Sequence, residues 1–263
     1  MNIYQQIVLK AQFLLSKNCL DKLTILFITT LFTFYSNLTT ALNEVTPTGS
    51  IKLRYNVNIY GTNLGEVHTT ITKDQKKFSL SSITKAEGAA SLILGGDLIQ
   101  ECNFETTDDE IISDASRVEK MGRNAFQREV QINWNSRDIN YNNESILDIP
   151  QGYLVDSCNF QFAAAFTHLD VLKANTIYVL DGKDSRMKAY VFRSANKEML
   201  KTPMGEFETT KIVLERELNP DKSFSFWITE DHPYFPLKMV EKRDSRSRIM
   251  TIKSYEENSI ASL

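Results

Sequence analysis

Along most of this chain, hydrophobic and polar residues alternate with the period of a β-strand. Ile51, Leu53, Tyr55, Val57 and Ile59 alternate with Lys52, Arg54, Asn56 and Asn58. A strict period of two predicts a strand with one buried and one wet face. Gly61-Thr-Asn-Leu-Gly65 then punctuates the chain. Residues 66–72 form a second strand, the polar turn 73–77 follows, and 78–84 form a third. This is a meander of hairpins. Residues 86–101 read as either a broken helix or a strand and bend. Residues 105–128, charged and irregular, read as a turn with short strands. Residues 129–134 and 138–142 predict another hairpin, closed off by Pro150 and Gly152.

One stretch departs from this period. Cys158, Phe162, Phe166 and Leu169 fall at i, i+4, i+8 and i+11, with Ala165 filling the stripe. That is the core face of a helix, and Asp156 or Ser157 is placed to cap its N-terminus. Strands resume over 176–180, 187–192, 207–216, 224–229, 237–242 and 249–255, separated by turns at Asp181–Ser185, Pro220-Asp221 and Asp244-Ser245-Arg246. The expected fold is all-β, a large curved antiparallel sheet or half-open barrel with one main helix. A sheet this large must curl or close to protect its edges.

The N-terminus has a different character. Lys10, Lys17 and Lys22 precede an uncharged apolar run over 23–36, and Thr39 and Ala41 sit at −3 and −1 of a cleavage site. A basic segment, a short apolar core and small residues, in that order, predict a secretory signal. The run is shorter than the ~20 residues of a spanning helix, although an uncleaved anchor is the alternative. The expected organisation is a signal peptide over 1–41, a short leader over 42–50, a single β domain over 51–256 and a tail over 257–263. The chain is then periplasmic, with no transmembrane span in the mature part.

Composition narrows the function. The formal charge is −3 overall; residues 1–41 carry three lysines and Asp21, so removing their +2 leaves −5. A mildly acidic domain lacks the basic footprint of a nucleic-acid binder. His68, His168 and His232 stand apart, with no second metal-type ligand at suitable spacing. His168 falls near the expected helix C-terminus. The G-x-S-x-G, P-loop and G-x-G-x-x-G patterns are absent, so no cofactor is expected. Cys102 and Cys158 are the two cysteines left after cleavage, and they are the candidate disulfide. The competing reading leaves Cys158 as a small hydrophobe on the helix face. Residues 241–248 form a basic hairpin tip. Phe162 and Phe166 on the helix, with Phe224, Phe226, Trp227 and Phe235 near the C-terminus, either fill a core or line a ligand cavity.

The C-terminal third carries a recognisable order: Tyr190-Val-Phe192, then Thr202-Pro-Met-Gly205-Glu-Phe, then Phe226-Trp227-Ile-Thr-Glu-Asp231, then Phe235-Pro236-Leu-Lys238 and a last strand to Tyr255. This resembles the domain-of-unknown-function family 3108, exported bacterial β-rich proteins, with Gly205, Trp227, Asp231 and Pro236 at motif positions. Phe235 stands where that family usually has leucine. The resemblance implies a periplasmic protein with a large curved sheet, and it brings no catalytic residues. A sheet of this kind also suggests the periplasmic lipoprotein carriers, an analogy of fold alone. The functional expectation is a non-enzymatic envelope protein holding a lipid or other hydrophobic small molecule. The alternatives are a module that docks an envelope protein, or a hydrolase using Asp231 with a neighbouring carboxylate.

Overall fold

In the structure, a computed structural model, the described residues are 49–59, 61–86, 96–142, 144–181, 186–232 and 235–259. The expected signal peptide, most of the leader, most of the stretch 86–101 and most of the turn Asp181–Ser185 lie outside them. Fifteen strands form one sheet. The first eight are β1 (Gly49–Ile59), β2 (Thr62–Asp74), β3 (Lys77–Ala86), β4 (Leu98–Thr106), β5 (Ile111–Lys120), β6 (Phe126–Asn133), β7 (Asp138–Tyr141) and β8 (Glu144–Asp148). After β9 (Tyr153–Asp156) come two short helices, α1 (Phe160–Phe166) and α2 (Leu169–Ala174). The chain then forms β10 (Ile177–Asp181), β11 (Arg186–Thr202), β12 (Gly205–Arg216), β13 (Asn219–Ile228), β14 (Lys238–Arg243) and β15 (Arg246–Ser259).

The strand order is β8-β7-β6-β5-β4-β3-β2-β1-β15-β14-β13-β12-β11-β10-β9. Two meanders, one running out from each end of the chain, therefore share a midline where β1 pairs antiparallel with β15. That ladder joins Gly49 to Ser259, so β1 and β15 extend past the expected limits of 51 and 256. All neighbours are antiparallel except β9 and β10, which are parallel. Parallel strands need a crossover of a dozen or more residues, and here α1 and α2 provide it.

The sheet is not closed by hydrogen bonds between β8 and β9. It is rolled so that its ends overlap. On β9 and β10, Val155, Ile177 and Val179 face the main core, where they join Leu53, Tyr55, Phe104 and Phe162. The alternate residues Leu154 and Leu180 face the other way, against Val130, Ile132 and Ile139 of β6 and β7. Period-two alternation thus lets a two-strand tongue bury both faces. This explains why its residues read as unbroken apolar runs.

Three expectations are corrected. Residues 105–128 hold the whole ten-residue strand β5, because Asp114, Arg117 and Glu119 point outward while Ile111 and Ser113 point in. The main helix is two helices. Thr167 and His168 adopt extended backbone, since the buried Thr167 hydroxyl bonds the Tyr153 hydroxyl at 2.6 Å and the His168 N–H donates to the Asp109 carbonyl at 2.6 Å. His168 therefore opens α2 and does not end a helix. Cys158 precedes α1: the Asp156 carboxylate accepts the Cys158 N–H at 2.7 Å, a local turn that competes with helix. Neither Asp156 nor Ser157 caps α1; its N-cap position is Asn159.

Candidate functional site

The concave face of the sheet is where apolar side chains and the helices meet. Aromatic rings gather there in separate groups. Phe160 of α1 meets Phe224 and Phe226 edge-on at 5.0 and 5.4 Å, and Tyr190 lies 5.7 Å from it. Phe166 meets Phe78 and Phe104 at 5.0 and 5.8 Å. Phe235 packs beside His232 and Tyr255. Phe162 and Phe226 are fully buried and act as core.

Trp227 is also buried and belongs to the core, but it leaves its strand on the other face. It pairs in register with Lys211 and Lys238, whereas Phe226 pairs with Ile212 and Met239. Alternation sends the indole to the opposite face. There the Lys211 and Lys238 ammoniums lie 4.9 and 4.8 Å from its ring, and its Nε1–H donates to Glu198. Trp227 is only 5% exposed, covered by the two lysines through cation–π contacts, and it lines no cavity with Phe224.

The interior is not solid. A cavity of about 270 Å³ lies between α1, β10–β11, β13–β15 and the inner faces of β2–β6. Phe160, Tyr190, Phe224, Met239, Met250 and Val179 form much of its wall. Charged groups reach it as well: Asp181, Lys188, Glu241, Arg243 and Arg248. Lys188 pairs with Asp181. Arg243 donates to Glu241 from Nε at 2.6 Å. The expected basic tip explains this placement. Alternation along β14 and β15 sets Glu241, Arg243 and Arg248 on the cavity side, where Glu241 is buried, Arg248 half-buried and the Arg243 side chain largely exposed, while Lys242 takes the other face. The sequence pattern carried this signal as alternation within the charged run.

A buried polar network ties β5 to β9 and the start of α1. Cys102 on β4 and Cys158 form a disulfide with Cα atoms 6.2 Å apart. Beside it, Asn159 Nδ2 donates to Ser113 Oγ at 2.9 Å, and Ser116 Oγ donates to the Asp156 carboxylate at 2.9 Å. Asp156 is 3% exposed. Burial pushes its pKa up from 3.8 to about 6; the bonds from Cys158 and Ser116 pull it down, and Asp181 adds a smaller upward push. Sequence reasoning took Asp156 for a helix cap and passed over Ser113 and Asn159. A buried aspartate on an all-apolar strand, Tyr153-Leu-Val-Asp156, was the available hint.

The remaining motif positions shape the chain. Gly205 turns the β11–β12 hairpin at φ 136°, a value that L side chains rarely adopt. The Pro236 carbonyl accepts the buried Tyr55 hydroxyl at 3.0 Å. Asp231 and Glu230 are exposed at the rim of a separate cleft of about 470 Å³, where Lys197 pairs with Glu208 at 3.1 Å. Among the described residues, no group of three or more His, Cys, Asp or Glu side chains is placed to hold a metal. No helix among them is long and apolar enough to cross a membrane.

A rolled antiparallel sheet with short helices and a lined hollow on its concave side defines a β-barrel-like protein. The chain belongs to the family described as protein of unknown function DUF3108, whose sequence model matches residues 54–253. Curated proteins give no match by sequence. Among solved structures, a similar chain is the beta-barrel-like protein of domain of unknown function DUF1849 from Brucella abortus. The two are 9% identical, the likeness covers 80% of this chain and 98% of that one, and the TM-score is 0.44.

Proposed function

We propose that this is an exported protein of the cell envelope that holds a hydrophobic small molecule inside its curved sheet. The cavity of about 270 Å³ carries this reading. Binding sites for small molecules are concave, mainly apolar, and fitted with a few convergent polar groups, and this cavity has that character. Export is argued from residues 1–41 and is consistent with a disulfide, which persists in oxidising compartments.

The test is native mass spectrometry of the protein purified from the exported fraction of its own host, followed by titration of the delipidated protein with a ten-carbon alcohol. The expected result is a mass matching cleavage near Ala41 together with a retained non-covalent adduct, and saturable binding of the alcohol. An adduct-free mass, with neither the alcohol nor its carboxylate or phosphate analogue binding, would remove the ligand reading and shift weight to protein docking through an exposed sheet edge.

A further inference from the structure

We infer that the cavity takes a single-chain amphiphile with one anionic head, a carboxylate or phosphate, and that Arg248 receives that head. The inference rests on the ligand reading above and specifies it.

The charged groups lining the cavity do not cancel. Asp181 pairs with Lys188, and Glu241 with Arg243. Arg248 remains, so the lining carries one uncompensated positive charge. It lies directly opposite Glu241 across the β14–β15 ladder, yet the Glu241 carboxylate is engaged by two nitrogens of Arg243 at 2.5 and 2.6 Å. Among the described residues, the Arg248 side chain has no hydrogen bond or ion pair, and its Nε is buried without a partner. A buried donor left unpaired is costly, and native structures rarely keep one without a reason. A guanidinium presents its N–H groups in a fork that fits two oxygens of a carboxylate or phosphate. An anionic ligand head would satisfy the orphan Nε and the excess charge together.

The rest of the wall fits the tail. Met239 and Met250 flank the arginine on the same inner face, and beyond them stand Phe224, Phe160 and Val179. The hollow equals about nine water molecules at ~30 Å³ each. A methylene takes nearly the same room, which sets a chain of about eight to ten carbons. Methionine side chains adapt to chains of different shape.

The experiment is calorimetric titration of the delipidated full domain with decanoate, decyl phosphate and 1-decanol, in wild type and in Arg248→Gln. Wild type is expected to bind at least one of the two anions about tenfold or more tighter than the alcohol. Preference for decanoate identifies a free fatty acid as the natural class; preference for decyl phosphate identifies a phosphate-headed lipid. In Arg248→Gln the anions should fall to the level of the alcohol, whose affinity is unchanged. Equal wild-type affinity for anions and alcohol overturns this inference and leaves the ligand reading standing. Failure of all three to bind overturns both. The wild-type comparison decides the matter even if the variant does not fold.

Discussion

Asp156 makes the folded protein sensitive to pH in a way that a single substitution should erase. Its carboxyl is pushed up to about 6 from an ordinary 3.8. Below about pH 4, folded and unfolded chains both hold the proton, and burial of the neutral acid carries no ionic cost. Between about 4 and 6 the unfolded chain releases the proton while the folded chain keeps it, so stability falls as pH rises. Above the folded value both are ionised, and the full cost of a buried charge remains. Two units at about 1.4 kcal/mol each give a loss of roughly 3 kcal/mol across this window. Asp156→Asn keeps the acceptor for the Cys158 N–H and offers Ser116 a donor in place of the second oxygen. Urea denaturation of both proteins at intervals from pH 4 to 8, without reductant, measures the effect. Glu66 and Glu110 titrate alike in both and drop out of the difference. The variant should match wild type near pH 4 and exceed it by up to about 3 kcal/mol near pH 8. A difference that does not change with pH, or an asparagine that destabilises at pH 8, would refute the argument.

Other outcomes follow from the same packing. Replacing Cys102 and Cys158 by alanine opens a loop with a sequence separation of 56 and should lower the denaturant-extrapolated stability by about 4 kcal/mol or less. Phe226→Ala, at a fully buried site, should cost about 3–5 kcal/mol in the same measurement. The double variant Lys211→Ala, Lys238→Ala should cost only about 1–2 kcal/mol while opening Trp227 to iodide quenching of its fluorescence. Gly205→Ala forces an alanine into positive φ and should lower the melting temperature by the equivalent of about 1 kcal/mol or more.

Much of the sheet was legible because a half-buried strand advertises itself. β1 alternates without fault, and the β2, β3, β6 and β7 hairpin strands follow the same rule. What escaped was whatever tertiary contacts decide. Cys158, Phe162, Phe166 and Leu169 keep a helical spacing, yet the hydroxyl pair at Tyr153 and Thr167 and the bond from His168 to Asp109 pull the backbone straight between two helices. The strand β9 is only four residues long and buried on both faces, so no alternation marks it. Trp227 carried a strong aromatic signal, but aromatic character does not say which face of a strand the residue occupies; its register with two lysines does. At the site, the charged run over 241–248 was visible as a basic turn. Its inward-facing half became meaningful only once β14 and β15 were paired and the neighbouring acids were seen to be already engaged.

The pairing of β1 with β15 has a consequence for how the molecule is made. Synthesis delivers β1 first and its partner last, and the ladder between them begins at Gly49 and ends at Ser259. Until the final strand emerges, β1 presents a bare edge, and Leu53, Tyr55 and Val57 have no completed core to enter. Such an edge invites pairing with other chains. Contacts this distant in sequence also form slowly. The midline of the finished sheet is thus the last part of the sheet to be supplied. The nascent sheet must be kept from aggregating until β15 has emerged, and a truncation that removes β15 leaves two half-sheets with no common seam.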